Sequence, residues 1–272
     1  MAHRKQYSYI QHVAKSLLLS RFKWSSEVAV FTDYTAYFDA AGAAHRKGAI
    51  AISGFVSDVK KWAHFGIEWR RILDRESISC FHMTDFVSLQ GEFLSWRGQP
   101  ERSNRFLSDL IECTKKHVNK AFGGAVILED YDRVNRKYRL QESGGYPYSL
   151  SGHYTIGLVQ KWQKKKGVSD VIYMFEEGDL HQGDLTRLCS PEGITPLFPS
   201  KTDALPCQAA DLFAWRTRNA FEEALKPNLT IERAKLLKSR FDQVWRKIPH
   251  AAFYGNRERL EKFCVERGIP KR

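Results

Sequence analysis

Three acidic residues occupy apolar surroundings in the sequence, and their types suit a metal site. Asp39 is the single acid in TAYFDAAG, Glu176 directly follows the apolar run VIYMF, and Asp211 lies among small and apolar residues in CQAADLFAW. A carboxylate in such a place is costly unless it lies at an open strand end, pairs with a base or binds a cation. The working prediction is that these three acids bind a metal ion.

Carboxylates that converge on one point repel each other, and Mg²⁺ or Mn²⁺ can relieve that repulsion with oxygen ligands. A pair of such ions can activate water and stabilise the leaving oxygen of a phosphodiester. Asp179 follows Glu176 closely and is predicted to complete the set or to orient a ligand. Strand alternation places Glu177 on the opposite face from Glu176. The predicted catalytic residues are Asp39, Glu176, Asp179 and Asp211, with Asp39, Glu176 and Asp211 as the metal ligands.

Each acid is assigned to a different element. Residues 35–56 are predicted to form a β-hairpin with Asp39 in its first strand. Residues 171–179 form a buried strand with Glu176 near its C-terminal end, where α/β folds bind ligands. Residues 206–225 form a helix that carries Asp211. The alternative for Asp211 is an ordinary salt bridge to one of two arginines, Arg216 or Arg218.

The remaining segments predict an α/β chain. Helical spacing of apolar residues marks residues 58–76, with Asp58 as a cap, and the segments 101–118, 149–166, 230–247 and 256–272. Strands are predicted at residues 78–86, 122–128 and 194–198, and residues 129–148 are predicted to be a long loop or an elaboration of the core. His82 and Asp85, near the end of the strand 78–86, are secondary candidates for the site, because a single histidine there is more often structural.

Basic residues point to a polyanionic partner. The 272 residues carry 43 Lys and Arg against 31 Asp and Glu, a formal charge of +12, which suits nucleic acid, although charge used only for solubility is the plainer alternative. The basic residues assigned to DNA or RNA binding are Lys161, Lys164, Lys165, Lys166, Arg216 and Arg218. Part of this run has a purely structural explanation, because lysines at a helix C-terminus complement its dipole.

Composition excludes several classes of protein. The five cysteines form neither a CxxC pair nor a finger-type pattern, and no apolar run is long enough to span a bilayer, so a soluble, cytoplasmic protein without membrane contact is expected. Walker A, GxGxxG, HExxH and GxSxG motifs are absent. Residues 1–26 contain no acid and are predicted to form a basic arm or helix that contacts nucleic acid, a second subunit or another protein. The alternatives are a transit peptide, which has similar chemistry, and an ordinary docking arm whose charges are solvated.

An acid in a hairpin strand, one at the end of a later strand and one on a following helix form the constellation of the RNase H-like superfamily. The chain also resembles the DUF3800 family of bacteria, archaea and mobile elements, over roughly residues 28–215. The resemblance rests on FDAAG, the helix with Trp62, Phe65 and Trp69, FHMTDF, FEEGD and QAADLFAW. It implies that the four acids correspond to the family's acidic positions, and His82 and Asp85 to its histidine motif. The family's first motif is often DESG or DASG, whereas this chain has DAAG.

The expected fold is α/β, an RNase H-like mixed sheet flanked by helices. The expected organisation is a basic N-terminal arm over residues 1–26, an RNase H-like domain over 27–225 and a C-terminal helical extension over 226–272. The expected function is a nuclease that hydrolyses DNA or RNA with Mg²⁺ or Mn²⁺. The alternative is an inactive RNase H-like protein of a mobile-element or defence system that binds nucleic acid or assembles with partners, since DAAG lacks the second acid and the serine of the related motif.

Overall fold

The structure, a computed structural model, describes residues 34–42, 48–143, 145–168, 170–226, 230–245 and 248–272. The predicted basic arm, residues 1–26, and the predicted hairpin turn, residues 43–47, lie outside the described residues. None of the helices in the described ranges is both long and apolar enough to cross a membrane.

Five strands form one mixed sheet, in the order β4-β1-β2-β3-β5. The first three strands pair antiparallel in chain order, while β4 lies parallel to β1 and β5 lies parallel to β3. The strands are β1 (Tyr34–Ala41), β2 (Ala49–Asp58), β3 (Lys120–Ile127), β4 (Val171–Phe175) and β5 (His250–Gly255). The two hairpin strands that the sequence predicts are therefore confirmed, and so is the α/β class.

Helices cover both faces of the sheet. They are α1 (Val59–Arg75), α2 (Met83–Ser88), α3 (Pro100–His117), α4 (Leu128–Lys137), α5 (Pro147–Lys166), α6 (Gln182–Cys189), α7 (Leu205–Ala224), α8 (Ile231–Trp245) and α9 (Arg257–Glu266). The start of α1 is fixed as the sequence predicts, because an Asp58 carboxylate oxygen accepts a hydrogen bond from the backbone N–H of Lys61 at 2.9 Å.

Strand alternation divides the core into two layers. Tyr37 packs on the face covered by α1, α3 and α7, together with Trp69 and Phe213. Its neighbour Phe38 packs on the opposite face, against Ile156 of α5. Residues of β1 with odd numbers, including position 39, therefore face the layer that contains α7.

The helix α5 approaches the sheet closely because one strand position has no side chain. A Cβ atom at Gly124 would lie 2.5 Å from the carbonyl oxygen of Ser151. In the same contact the Ser151 hydroxyl donates to the carbonyl of Ile50 at 3.0 Å, and the Thr155 hydroxyl donates to that of Ile52 at 2.9 Å. These contacts fix α5 against β2 and β3.

Two predicted strands are wrong or incomplete. Residues 78–82 form a loop and residues 83–86 belong to α2, and the backbone N–H groups of Phe81 and Met83 donate to side chains of α7 instead of to a neighbouring strand. Of residues 194–198, a single position bridges to the sheet, where Leu197 lies parallel to Met174. The sequence of each segment is typical of a strand because apolar residues cluster in it. In the structure these apolar residues pack into the two layers of the core without extending the sheet as strands.

Two further elements differ from the prediction. The segment 129–148, predicted as a loop, begins within the helix α4, which buries Tyr131 and Val134. The strand β5 was not predicted. Its side chains alternate between exposed and partly buried up to Tyr254, and two of them are alanines, so the sequence HAAFYG has no clear apolar alternation.

Candidate functional site

The structure brings Asp39, Glu176 and Asp211 together around one lysine. The Lys201 ammonium nitrogen lies 3.2 Å from Asp39 Oδ2, 2.7 Å from Glu176 Oε2 and 3.2 Å from Asp211 Oδ2. The lysine side chain is only 10% exposed. Three carboxylates from separate elements therefore share one cation, and that cation belongs to the chain itself.

Sheet pairing places the first two acids side by side. Phe38 of β1 pairs with Phe175 of β4, so the next residue of each parallel strand, Asp39 and Glu176, lies at the same edge. The backbone N–H of Glu176 continues the pairing by donating to the carbonyl of Phe38 at 2.9 Å. The position of an acid directly after a parallel strand, which the sequence predicts, follows from this register.

Asp211 enters the cluster from α7 and is fixed from the other side by the loop before α2. Its Oδ2 accepts a hydrogen bond from the backbone N–H of Met83 at 2.8 Å. Within the described residues no arginine pairs with Asp211, and Arg218 pairs with Glu222 at 2.6 Å instead. The alternative of a salt bridge between Asp211 and an arginine is wrong in its partner, because the base that pairs with the carboxylate is Lys201, at 3.2 Å.

The cluster remains negatively charged. Three carboxylates and one ammonium sum to −2 when all are ionised (−3 + 1). Burial, reinforced by the charges of Asp211 and Glu176 and opposed by Lys201, raises the pKa of Asp39 well above its usual range. Burial also disfavours the charge on Lys201, but the three acids outweigh it and raise the pKa of this ammonium. Lys201 is thus held as a cation, and the acids carry more charge than it neutralises when all three are ionised.

A buried amide positions the cluster. Gln208 is fully buried on α7. Its Oε1 accepts hydrogen bonds from Trp69 Nε1 at 2.9 Å and from the backbone N–H of Phe81 at 3.0 Å. Its Nε2 donates to the carbonyl of Lys201 at 3.0 Å. One side chain therefore connects α1, the loop before α2 and the segment that carries the central lysine.

Replacing Gln208 with leucine is expected to destabilise the protein by about 2–5 kcal/mol, because two buried N–H groups and one carbonyl lose their partner. Urea unfolding measures the difference. Gln99→Leu is the matched control, since Gln99 is an exposed amide on a helix cap and its replacement should change stability by less than about 0.5 kcal/mol. Equal effects of the two substitutions would contradict the role assigned to Gln208.

The cluster opens into a groove of about 570 Å³. Besides the three acids and Lys201, side chains from three segments line it, namely His82, Thr84, Glu177, Asp179, Trp215 and Arg218. The predicted placement of Glu177 on the opposite face from Glu176 is wrong, because β4 ends at Phe175 and both acids line the groove. The buried carboxylates are therefore reachable from solvent, which a site for a cation and a substrate requires.

His82 and Asp85, the secondary candidates, lie at the mouth of the groove. His82 Nε2 is 3.8 Å from Asp211 Oδ2, and His82 Nδ1 is 3.5 Å from Asp85 Oδ2. The histidine side chain is 41% exposed. His82 lines the groove, whereas Asp85 contacts His82 and is not among the residues that line the groove. Of the two, the histidine is therefore the one placed to contact a bound molecule.

Asp179 lines the groove without contacting Lys201 closely. Burial and the charge of Glu176, opposed by Lys201, raise the pKa of Asp179 to about 6. An acid whose pKa is raised on folding binds its proton more tightly in the folded state. The stability that it contributes is present below its ordinary pKa of 3.8 and is lost as the pH rises through about 6.

Asp179→Asn is therefore expected to raise the melting temperature in EDTA near neutral pH. The gain corresponds to roughly 2–3 kcal/mol at about pH 8 and disappears below about pH 4, where the wild-type carboxyl is protonated in both states. Thermal unfolding of both proteins across this range is the measurement. A gain that is independent of pH would show that the substitution acts through packing and not through charge.

The basic residues assigned to nucleic acid do not share one surface. Lys161, Lys164, Lys165 and Lys166 are exposed on α5, which covers the sheet face opposite the carboxylates. Arg216 lies over the ring of Trp215, and burial lowers the pKa of its guanidinium. Of these six predicted residues, Arg218 alone lines the groove.

Lys201 is the functional residue that the sequence reasoning missed. It stands in PSKTDALP, between the strand that ends in Glu176 and the helix that carries Asp211. The signal that could have identified Lys201 is its position in the sequence, as a base between two acids of the predicted cluster. Pairing with a base was also one of the alternatives left open for Asp39. The chain matches no protein-family model and no curated protein.

Proposed function

We propose that the protein is a metal-dependent nuclease with an RNase H-like fold that hydrolyses phosphodiester bonds in DNA or RNA. The observation that carries the proposal is the convergence of Asp39, Glu176 and Asp211 on one point of an open groove, with a residual formal charge of −2. An acid of the first hairpin strand, one that follows a strand parallel to it and one on a later helix are the set expected for this superfamily.

The resemblance to the DUF3800 family adds to this argument. Four of its motifs, separated along the chain, line one groove: FDAAG supplies Asp39, FHMTDF supplies His82, FEEGD supplies Glu176 and Asp179, and QAADLFAW supplies Asp211. The glutamine of the last motif positions Lys201 through its backbone. Motifs that converge in this way support a shared role, and we propose membership of the family on that basis.

The three carboxylates fit a divalent ion. All three supply oxygen ligands, which Mg²⁺ and Mn²⁺ prefer, and they already surround a cation at 2.7–3.2 Å. Magnesium–oxygen distances are about 2.0–2.1 Å, so the three carboxylates would have to move closer together than they lie around Lys201. Lys201 holds the position that an ion shared by all three acids would take, so the lysine and the ion compete for the same ligands.

The residues of the chain have distinct roles in the proposed reaction. Asp39, Glu176 and Asp211 hold the ion, which when bound supplies an activated water and stabilises the leaving oxygen. His82 lies on the open side of Asp211, where it can hold or donate a proton at a phosphate oxygen. Arg218, which lines the groove and pairs with Glu222, can contact a phosphate, whereas the charge of Lys201 is taken up by the three acids.

A second function is favoured by one observation. Lys201 neutralises part of the cluster without any added ion, as expected for a protein that keeps the fold and has no catalytic metal. On this alternative the chain binds nucleic acid or assembles with partners. The net charge of +12 supports nucleic acid as the partner in both cases.

A cleavage assay on single- and double-stranded DNA and RNA, with Mg²⁺, Mn²⁺ or EDTA, tests the proposal. We expect cleavage of at least one substrate with either ion and none in EDTA. Binding that weakens steeply with salt, without cleavage under any condition, would support the non-catalytic alternative instead. Neither binding nor cleavage would contradict both.

A further inference from the structure

A second group of side chains that can bind metal ions lies between α1 and α3. Each helix contributes two residues spaced by four, which places them on one face. His64 and Glu68 come from α1, and Cys113 and His117 come from α3. None of the four contacts the groove that holds Asp39, Glu176 and Asp211.

Three of these residues are close enough to share one ion. The carboxylate of Glu68, the thiol of Cys113 and the imidazole of His117 have ligand atoms that all lie within 4.8 Å of one another. Glu68 Oε2 and His117 Nε2 are 2.8 Å apart. Cys113 is 1% exposed and His117 is 7% exposed. In the described part of the chain, no other trio of His, Cys, Asp or Glu meets this spacing.

We propose that Glu68, Cys113 and His117 bind a zinc-type divalent ion that joins α1 to α3. A set of sulfur, nitrogen and oxygen donors suits Zn²⁺, whereas Mg²⁺ prefers oxygen alone. Zinc bonds of about 2.0–2.3 Å place tetrahedral ligands roughly 3.2–3.7 Å from one another. The Glu68–His117 pair, now 2.8 Å apart, would have to separate slightly, and any ligand atoms nearer the 4.8 Å limit would have to move closer.

The fourth ligand position has two candidates, water and His64. The ring centroids of His64 and His117 are 6.4 Å apart, and the planes are inclined by 28°. A groove of about 560 Å³, lined by Glu68 and Cys113, provides the entry path from solvent.

Lys116 competes for the site. Its ammonium lies 2.7 Å from Glu68 Oε2, but its side chain is 63% exposed and can turn into water. Burial opposes the charge on Glu68, yet the hydrogen bonds from Lys116 and His117 outweigh it and lower the pKa of this acid. The thiol of Cys113 would release its proton to solvent as its sulfur binds the ion, and His117 would keep its ring proton on the nitrogen that does not bind.

Titration of the metal-free, full-length protein with Co²⁺ tests the site, because a cobalt–thiolate bond produces charge-transfer absorption in the near ultraviolet. We expect one equivalent of Co²⁺ to produce this band and Zn²⁺ to displace it. At about 100-fold excess over its Kd, Zn²⁺ should also raise the melting temperature by roughly 5–10 °C.

Matched variants separate this site from other thiols and acids. Cys113→Ser should remove the band, and Glu68→Gln should weaken Co²⁺ binding at least about tenfold while leaving the thiolate in place. Cys264→Ser, which changes another buried thiol, and Asp211→Asn, which changes the nuclease site, should leave the band intact.

Wild-type protein without the band, or a Cys113→Ser protein that keeps it, would overturn the proposal. If Cys113→Ser does not fold, Glu68→Gln decides, because unchanged affinity in that variant also overturns it. Loss of the band in Asp211→Asn would place the ion in the nuclease site instead.

Discussion

Replacing Lys201 with methionine is expected to lower the melting temperature of the metal-free protein by roughly 6–15 °C, because removing one partner of a buried ionic group costs about 3–5 kcal/mol. Methionine keeps most of the side-chain volume, so the loss reports the missing charge. Three carboxylates, of which Asp39 is 4% exposed, then remain without a cation.

Divalent ions should restore much of this loss. If the carboxylates form a cation site, millimolar Mg²⁺ or Mn²⁺ should raise the melting temperature of Lys201→Met more than that of the wild type, since the ion no longer competes with the lysine. Thermal unfolding with and without EDTA measures both effects.

Lys137→Met is the control, because Lys137 pairs with Glu261 on the surface at 3.2 Å and should contribute less than about 1 kcal/mol. A Lys201→Met protein with the same melting temperature as the wild type would contradict the charge balance described for the cluster. A destabilised variant that no divalent ion restores would leave the acids as a structural ion pair and argue against metal binding.

Asp211→Asn is expected to reduce cleavage by more than about 100-fold, since even residues that only orient metal ligands cost 10–100-fold when changed. The asparagine keeps an oxygen that can accept the hydrogen bond from the backbone N–H of Met83, so the loop before α2 keeps its anchor. Asp39→Asn and Glu176→Gln should behave alike. Initial rates under saturating Mg²⁺ or Mn²⁺ provide the measurement.

Stability should move in the opposite direction to activity. Each of these substitutions removes one negative charge from a cluster whose formal charge is −2, so the metal-free melting temperature should stay level or rise. Glu177→Gln is the matched control, because Glu177 is exposed on the rim and has no contact with Lys201, and it should keep most of the activity. Full activity in Asp211→Asn would contradict the assignment of the site.

The sequence was sufficient to predict the elements that contain the acids. Apolar alternation predicts the hairpin, and helical spacing with the Asp58 cap predicts α1, since both patterns reflect burial on one face. The three acids could be singled out because each interrupts an apolar pattern.

Long-range contacts explain what the sequence reasoning missed. Residues 78–86 are apolar enough for a strand, yet their backbone N–H groups at Phe81 and Met83 find partners 127 and 128 residues away on α7. Lys201 gives no periodic signal, because it lies in a turn and its role depends on three residues from other segments. The zinc-type cluster combines two helices, and only their packing brings Glu68 close to Cys113.

The central lysine also differs from an ion in one respect that follows from covalent attachment. A bound ion leaves when its concentration falls, whereas the Lys201 ammonium stays beside the acids, at a local concentration fixed by the chain that joins β4 to α7. Dialysis and chelators remove a bound ion and leave the lysine in place. The three carboxylates therefore have a counter-charge without any added ion. On the proposed function, a divalent ion would have to displace the lysine, so its binding should require a higher ion concentration than a site without the lysine.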